Sequence, residues 1–319
     1  MGFLHTKRFV LIVLGAAALL ATLGAASASA DPPPAGAGTT SHGFLVDRGA
    51  VRTIDHPGAT TMPATPTGQA GSATLGINDR GQILGAYEGK DRLVRHFVRD
   101  RRGRYSPIPG PPVGRAYEYA DLNNRGEIAG FYNDEQGATT SAFLRTKSGR
   151  FIDINFPGSL VTGVLKANDR RQVVGLYGDA EKLHGLLWDN GRYTTIDVPG
   201  ATATVVLGIN NRGQTVGSWV GADGAYHAFL RQRDGGVTTL PDAPGGSRTS
   251  GGTQPTSIND HGQIVGLVYD SQGGSRAFRY DRGSYALFDG ARGAVYTRAL
   301  DIDNRGRIVG DYGTRPGSR

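Results

Sequence analysis

Leu207-Gly208-Ile209-Asn210-Asn211-Arg212-Gly213-Gln214-Thr215-Val216-Gly217 is an apolar run that ends in a polar, Gly-bearing turn and restarts as a second short apolar run. The pattern recurs around Asn78, Asn123, Asn168 and Asn259, and around Asp303, where Asp takes the Asn place. Successive anchors lie 45, 45, 42, 49 and 44 residues apart. In a sequence built of short β-type runs, a period of about 40 to 50 residues indicates a propeller or another repeat array.

Composition agrees with many short strands joined by turns. The chain has 319 residues, 50 of them Gly, and no Cys. Outside the N-terminus no stretch sustains a 3.6-residue apolar period. Residues 1–30 read as a secretory signal peptide: Lys7 and Arg8 precede the apolar run Phe9 to Leu23, and Ala28-Ser29-Ala30 precedes Asp31. An uncleaved anchor is the alternative, disfavoured by the small-residue cleavage site. Cleavage lowers the formal net charge from +7 to +5, leaves no membrane segment and sends the chain to the periplasm or cell exterior. Without Cys there is no disulfide framework and no thiol nucleophile. Residues 31–41 form a Pro/Gly-rich linker, 42–313 the repeat domain and 314–319 a disordered tail.

Each repeat offers four strands. The first runs into the Asn, and the second follows the turn, as in Gln263-Ile264-Val265-Gly266. The third carries a His-x-Phe-like element, seen at His42, His96, His184 and His227, with Ser141 and Arg276 in its other copies. The fourth ends before Pro-Gly, as in Ile196-Asp197-Val198-Pro199-Gly200. Pro cannot donate to a ladder, so Pro-Gly marks a crossing to the next repeat. The expected fold is all-β: a six-bladed β-propeller of four-stranded repeats about 45 residues long. The domain opens on a third and fourth strand (42–55) and closes on a first and second (297–313), so one blade is expected to be shared between the chain ends.

The repeated Gly-Ile-Asn-x-Arg-Gly-Gln-x-Val-Gly and His-Ala-Phe elements resemble the HAF-repeat family of probable extracellular repeat proteins. The resemblance spans 42–313 and implies export and a repetitive β fold, with no biochemical role to carry over. Ser141, Arg276 and Arg171 (in place of the turn Gly) depart from the pattern.

The anchor Asn suits a type I turn whose Gly takes positive φ. Arg171→Gly is therefore expected to stabilise the protein by about 0.5–1 kcal/mol. Asp301 to Gly306 lacks the ligands of a calcium loop, and His residues on separate blades cannot converge on one zinc, so neither metal nor cofactor is expected. No nucleophile elbow, phosphate loop or metalloprotease motif occurs.

Turn tips Arg80, Arg125, Arg170, Arg212, His261 and Arg305 should share one rim, partly neutralised by Asp79, Asp169 and Asp260. Nucleic-acid motifs with interleaved aromatics are absent. Counting back from the anchor, the first and third places are mostly apolar and are expected to pack between blades. The variable second and fifth places, with neighbouring rings, give the candidate ligand face: Tyr117, Glu118, Tyr119, Asp121, Lys166, Arg298 and Asp301. The expected function is a monomeric binding or scaffold propeller for a glycan, cell-wall polymer or protein. The alternative is a hydrolase or lyase using carboxylates near the channel.

Overall fold

A computed structural model describes residues 39–60, 70–111, 117–133, 140–159 and 161–315. The signal-like stretch, the linker up to 38 and the tail from 316 lie outside the described residues. The first strand begins at Thr40, so Thr40 and Ser41 belong to the sheet and not to a linker.

The fold is all-β. Among the described residues, 24 strands fall into two twelve-stranded sheets. Within them the antiparallel pairings define four-stranded units. In chain order these are β3 (Ala70–Ile77), β4 (Ile83–Glu88), β5 (Val94–Arg99) and β6 (Tyr105–Pro107), then β7 (Tyr117–Leu122), β8 (Ile128–Asn133), β9 (Thr140–Arg145) and β10 (Phe151–Ile154). The next two are β11 (Val161–Ala167), β12 (Gln172–Gly178), β13 (Leu183–Asp189) and β14 (Arg192–Ile196), then β15 (Ala203–Ile209), β16 (Thr215–Val220), β17 (Tyr226–Arg231) and β18 (Val237–Thr239). The fifth is β19 (Thr253–Ile258), β20 (Ile264–Tyr269), β21 (Ser275–Asp281) and β22 (Ser284–Phe288).

The remaining four strands come from both ends of the domain. β1 (Thr40–Asp47) pairs antiparallel with β24 (Ile308–Thr314) from Thr40↔Thr314 to Val46↔Ile308. β2 (Ala50–Thr53) and β23 (Tyr296–Ile302) flank that pair. The first strands of successive units contact one another, and β23 contacts β3 in the same way.

The Gly that ends the repeated motif has a packing cause. On the second strand it lies opposite the third-strand aromatic, as in Gly85↔Phe97 and Gly217↔Phe229. A Cβ at Gly217 would sit 2.1 Å from Val205 O and 2.7 Å from the Phe229 ring. The rings Phe44, Phe97, Phe143, Phe229 and Phe278 are all fully buried, so a side chain there would displace the core of its unit.

The pairings also correct the alignment of the His element. Phe97 takes the place of Phe44, so His96 falls at the small-residue place of Gly43, Ala142 and Ala228, and Arg95 falls at the His place. A shift of one residue turns the side chain to the other face of the strand. His42 and His184 bond Asp55 and Asp197, just past the fourth strand of their own units, at 2.7 and 2.8 Å, as expected of structural His. His96 instead points inward and is 3% exposed.

A second correction concerns the third place before each anchor. Every first strand shifts register there, as between Thr74 and Gly76 or Val206 and Gly208, so this residue is the extra one of a β-bulge. Leu75, Ala120, Leu165, Leu207, Thr256 and Leu300 consequently converge on one common cavity, while Leu75 and Leu300, and Leu165 and Leu207, also pack between units as the sequence suggested. The bulge interrupts the alternation on which the sequence expectation rested.

A candidate binding face and its polar centre

The anchor turns build the centre of one end of the molecule. In each, the anchor Oδ1 accepts the backbone N–H groups two and four residues on, as Asn210 does from Arg212 and Gln214 at 3.0 Å. Its Nδ2 then reaches into the next unit. Asn78 donates to Asn123 O, Asn123 to Asn168 O, Asn168 to Asn210 O, Asn210 to Asn259 O and Asn259 to Asp303 O, at 3.0–3.2 Å. A carboxylate cannot donate, so the sixth link needs another group. Arg307, bonded to Asp303 Oδ2 at 2.7 Å, extends Nη2 to Asn78 O at 3.4 Å. The Asp at the sixth anchor is thus matched by an Arg four residues later, where other units hold Gln or Glu.

Outside this circle lies another, formed by the residue after each anchor. In order it reads Asp79, Asn124, Asp169, Asn211, Asp260 and Asn304, strictly alternating. Each Asn Nδ2 donates to the carboxylates on both sides, as Asn211 does to Asp169 and Asp260 at 3.0 and 3.1 Å. Backbone N–H groups complete the circuit, including Asn304 N to Asp79 Oδ1 at 2.8 Å. Each carboxylate therefore accepts three hydrogen bonds, and the three charges stay apart, separated by amides. Sequence reasoning noticed the three Asp as partial neutralisers but missed the alternation, which aligned anchors would have shown.

These circles also line a cavity of about 70 Å³, whose walls further include Asp121, Lys166, Ser257 and Asp301. Lys166 Nζ lies 3.1 Å from Asp121 Oδ1, in the preceding unit, and 2.9 Å from Asp301 Oδ1. β23, which carries Asp301, is three first strands away from β11 in the series of first-strand contacts, so the ammonium bridges units that are not neighbours. Asp121 Oδ2 accepts Ala167 N, while Asp301 accepts Ile77 N and the Ser257 hydroxyl. Burial opposes the charge on Lys166, but the two carboxylates outweigh it and hold its pKa above the ordinary Lys value. Burial raises Asp121, against the pull of Lys166 and reinforced by Asp301. Two buried carboxylates share one ammonium, and Asp121 carries the surplus.

Of the seven sequence-derived candidates, only Asp121, Lys166 and Asp301 meet. Glu118 is buried and bonds His96 Nε2 at 3.1 Å. Tyr119 is 1% exposed, sits in the core beside Leu84 and Phe143, and donates its hydroxyl to Pro109 O at 2.7 Å. Tyr117 packs half-buried against Tyr119 and His96. Arg298 does not reach the mouth: its Nε bonds Asp311 Oδ1 at 2.9 Å, with the guanidinium over the Tyr296 ring. Tyr119→Ala would open a core cavity, so it cannot serve as a test of ligand contact.

One unit departs in a compensated way. Glu127 replaces Gln and is buried, and Arg171 Nε donates to its Oε1 at 2.7 Å. Arg171 holds φ +63°, close to the φ of 76–81° at the five equivalent glycines, so the turn conformation is retained against local preference. Arg171→Gly alone is therefore expected to cost about 1–2 kcal/mol, because it removes the nearer cation of a buried carboxylate and leaves only the exposed Arg125 at 3.5 Å. In the Glu127→Gln background the same change should stabilise by about 0.5–1 kcal/mol. Urea unfolding of the wild type and the three variants checks this reversal of sign, and a loss of similar size in both backgrounds would refute it.

By sequence the chain matches no known family model and no curated protein. By structure it is similar to TolB from Acinetobacter baumannii, with TM-score 0.51 and 11% identity over 95% of this chain and 68% of that one. Weaker similarity extends to the fucose-specific lectin from Aleuria aurantia, at TM-score 0.46 and 16% identity over 79% and 94% of the two chains. Virginiamycin B lyase from Staphylococcus aureus follows, at TM-score 0.38 and 10% identity over 75% and 94%. At such identities the likeness is one of fold alone, and the fold shared with TolB is the β-propeller kind.

Proposed function

We propose that this chain is an exported six-bladed propeller of the HAF-repeat kind, its last blade completed by β1 and β2, acting as a binding module for a glycan, cell-wall polymer or protein. Support for the ring comes from the β1–β24 pairing and from the two hydrogen-bonded circuits, which return from Asp303 and Asn304 to the first unit. The observation that carries the functional reading is a contrast in charge satisfaction. At the axis, Asp121, Lys166 and Asp301 spend their charges on one another in a cavity of about 70 Å³. At the turn tips, Arg80, Arg170, Arg212 and Arg305 are exposed and make no ion pair among the described residues. Charged groups available to a partner thus lie on the surface, as in a docking face, and not in an enclosed site. The test is to present the full chain to immobilised acidic and neutral glycans and cell-wall polymers, and to analyse the soluble polymers after incubation. Retention without change in polymer length is expected. New reducing ends or unsaturated products, lost in Asp121→Asn, would replace this reading with the hydrolase or lyase alternative.

A further inference from the structure

The anchor turns join the first and second strands of each unit, and the hairpin between third and fourth strands opens at the same end. Ladder registers such as Ile83↔Arg99 and Ile264↔Tyr280 fix this. In two units the two turns touch: a Cβ at Gly126 would lie 3.5 Å from Lys147 Cγ, and one at Gly213 would lie 3.3 Å from Arg233 Cγ. The inner turns expose Arg80, Arg125, Arg170, Arg212, His261 and Arg305. The outer hairpins expose Arg48, Arg102, Lys147, Arg192, Arg233 and Arg282, one from each four-stranded unit.

The opposite end differs. Its loops place an acid in most units, among them Asp91, Asp179, Asp223, Asp242, Asp270 and Asp289. Several are neutralised locally, as Asp91 by Arg95, Asp242 by Arg248 and Asp289 by Arg276. On the anchor side, Arg48, Arg102, Lys147, Arg192 and Arg233 make no ion pair among the described residues, and Arg282 only approaches Asp281 at 4.0 Å. This end therefore presents nine exposed cations without an ion pair among the described residues, namely Arg80, Arg170, Arg212 and Arg305 on the inner turns and Arg48, Arg102, Lys147, Arg192 and Arg233 on the outer hairpins, beside the hairpin carboxylates Asp47, Asp100, Asp189, Asp234 and Asp281.

We propose that this cationic end is the docking face for a linear uronic-acid polysaccharide; the inference rests on the binding-module reading above and names its ligand class. Guanidinium groups pair carboxylates through two parallel hydrogen bonds, and repeated cations suit a ligand whose charges repeat. Charge density selects among polyanions. Asp79, Asp169 and Asp260 sit between the inner Arg tips and repel a ligand that carries charge everywhere along its length. A uronate chain, with about one carboxylate per sugar, can meet the Arg tips and leave those carboxylates uncovered. The turn tips hold no Phe, Tyr or Trp on which bases would stack, which disfavours single-stranded nucleic acid. They also lack the apolar centre that a protein partner would bury.

The experiment measures binding of the full chain to polygalacturonate by calorimetry, at salt from about 50 to about 300 mM. The inner variant carries Arg80→Gln, Arg170→Gln, Arg212→Gln and Arg305→Gln; its charge-matched control carries Lys90→Gln, Lys182→Gln, Arg248→Gln and Arg292→Gln on the opposite end. Expected are binding that weakens steeply with salt, at least a tenfold loss in the inner variant with a slope against log salt shallower by about two or more, and little change in the control. A second variant, with Arg48→Gln, Lys147→Gln, Arg192→Gln and Arg233→Gln, gives an independent reading should the inner one unfold. Equal losses in the inner variant and control would reduce the effect to net charge and overturn the proposal. So would equal binding to dextran, or tighter binding to dextran sulfate or duplex DNA than to polygalacturonate. Glycan binding that ignores every cationic substitution would sink the face and its ligand class while leaving the binding-module reading standing. Failure to bind any polymer would end both.

Discussion

Removal of residues 42–55 is expected to unfold far more than the two strands it deletes. β1 supplies Phe44, which is fully buried, and covers β24 along seven residue pairs. Its loss bares the backbone edge of β24 and the Gly310 site against which the Phe44 ring packs. Thr74 in the neighbouring unit also loses a partner, since its hydroxyl donates to both Phe44 O and Gly310 O. Because first strands are held through side chains around a circuit, opening one unit weakens the next on each side. The truncated chain should lose cooperative thermal unfolding and be digested throughout 76–313. A peptide spanning 39–60, added in trans, should restore part of the protection by re-pairing with β24. Protease resistance of the truncated chain equal to that of the whole domain would refute closure by shared strands.

Lys166→Met should cost about 3–5 kcal/mol, because it leaves Asp121 and Asp301 buried without their cation. For a domain of this size that lowers the melting temperature by on the order of 10 °C. Asp121→Asn should behave differently, since it leaves a one-to-one Lys166–Asp301 pair, and its cost should stay within about 1 kcal/mol. The pH dependence carries the sign. Lys166 is held above its ordinary pKa, so its contribution is present at neutral pH and is lost only as pH rises through that raised value. Asp121 is also raised, so the contribution of its protonated form is present below the unfolded pKa of about 4 and is lost as pH rises through the folded value. Relative to the wild type, Asp121→Asn should therefore gain stability from about pH 4 upward. Melting curves at several pH values measure the difference, and a constant offset between the two proteins would show that Asp121 is not the strained member of the triad.

The repeat period, the four strands per unit and the turn chemistry were legible from local pattern, since Asn capping and positive φ are decided within five residues. Even the turn departing at Arg171 was visible, although its cause, the buried Glu127 one unit earlier, was not. Asp121, Lys166 and Asp301 could be singled out because repeats disagree there, but the same argument also selected Tyr119, Glu118 and Arg298, which are spent on packing and internal pairs. Which residues face the axis depends on a bulge in each first strand, and a bulge reverses side-chain direction without leaving a regular mark in hydropathy. His96 shows the same limit, since a one-residue register difference places it among core groups and only strand pairing reveals it. Sequence by itself determined the repeating unit. Tertiary structure alone decided what the units do to one another, because Lys166 meets its carboxylates across separations of 45 residues and more, and only the packing of first strands from different units brings those positions together.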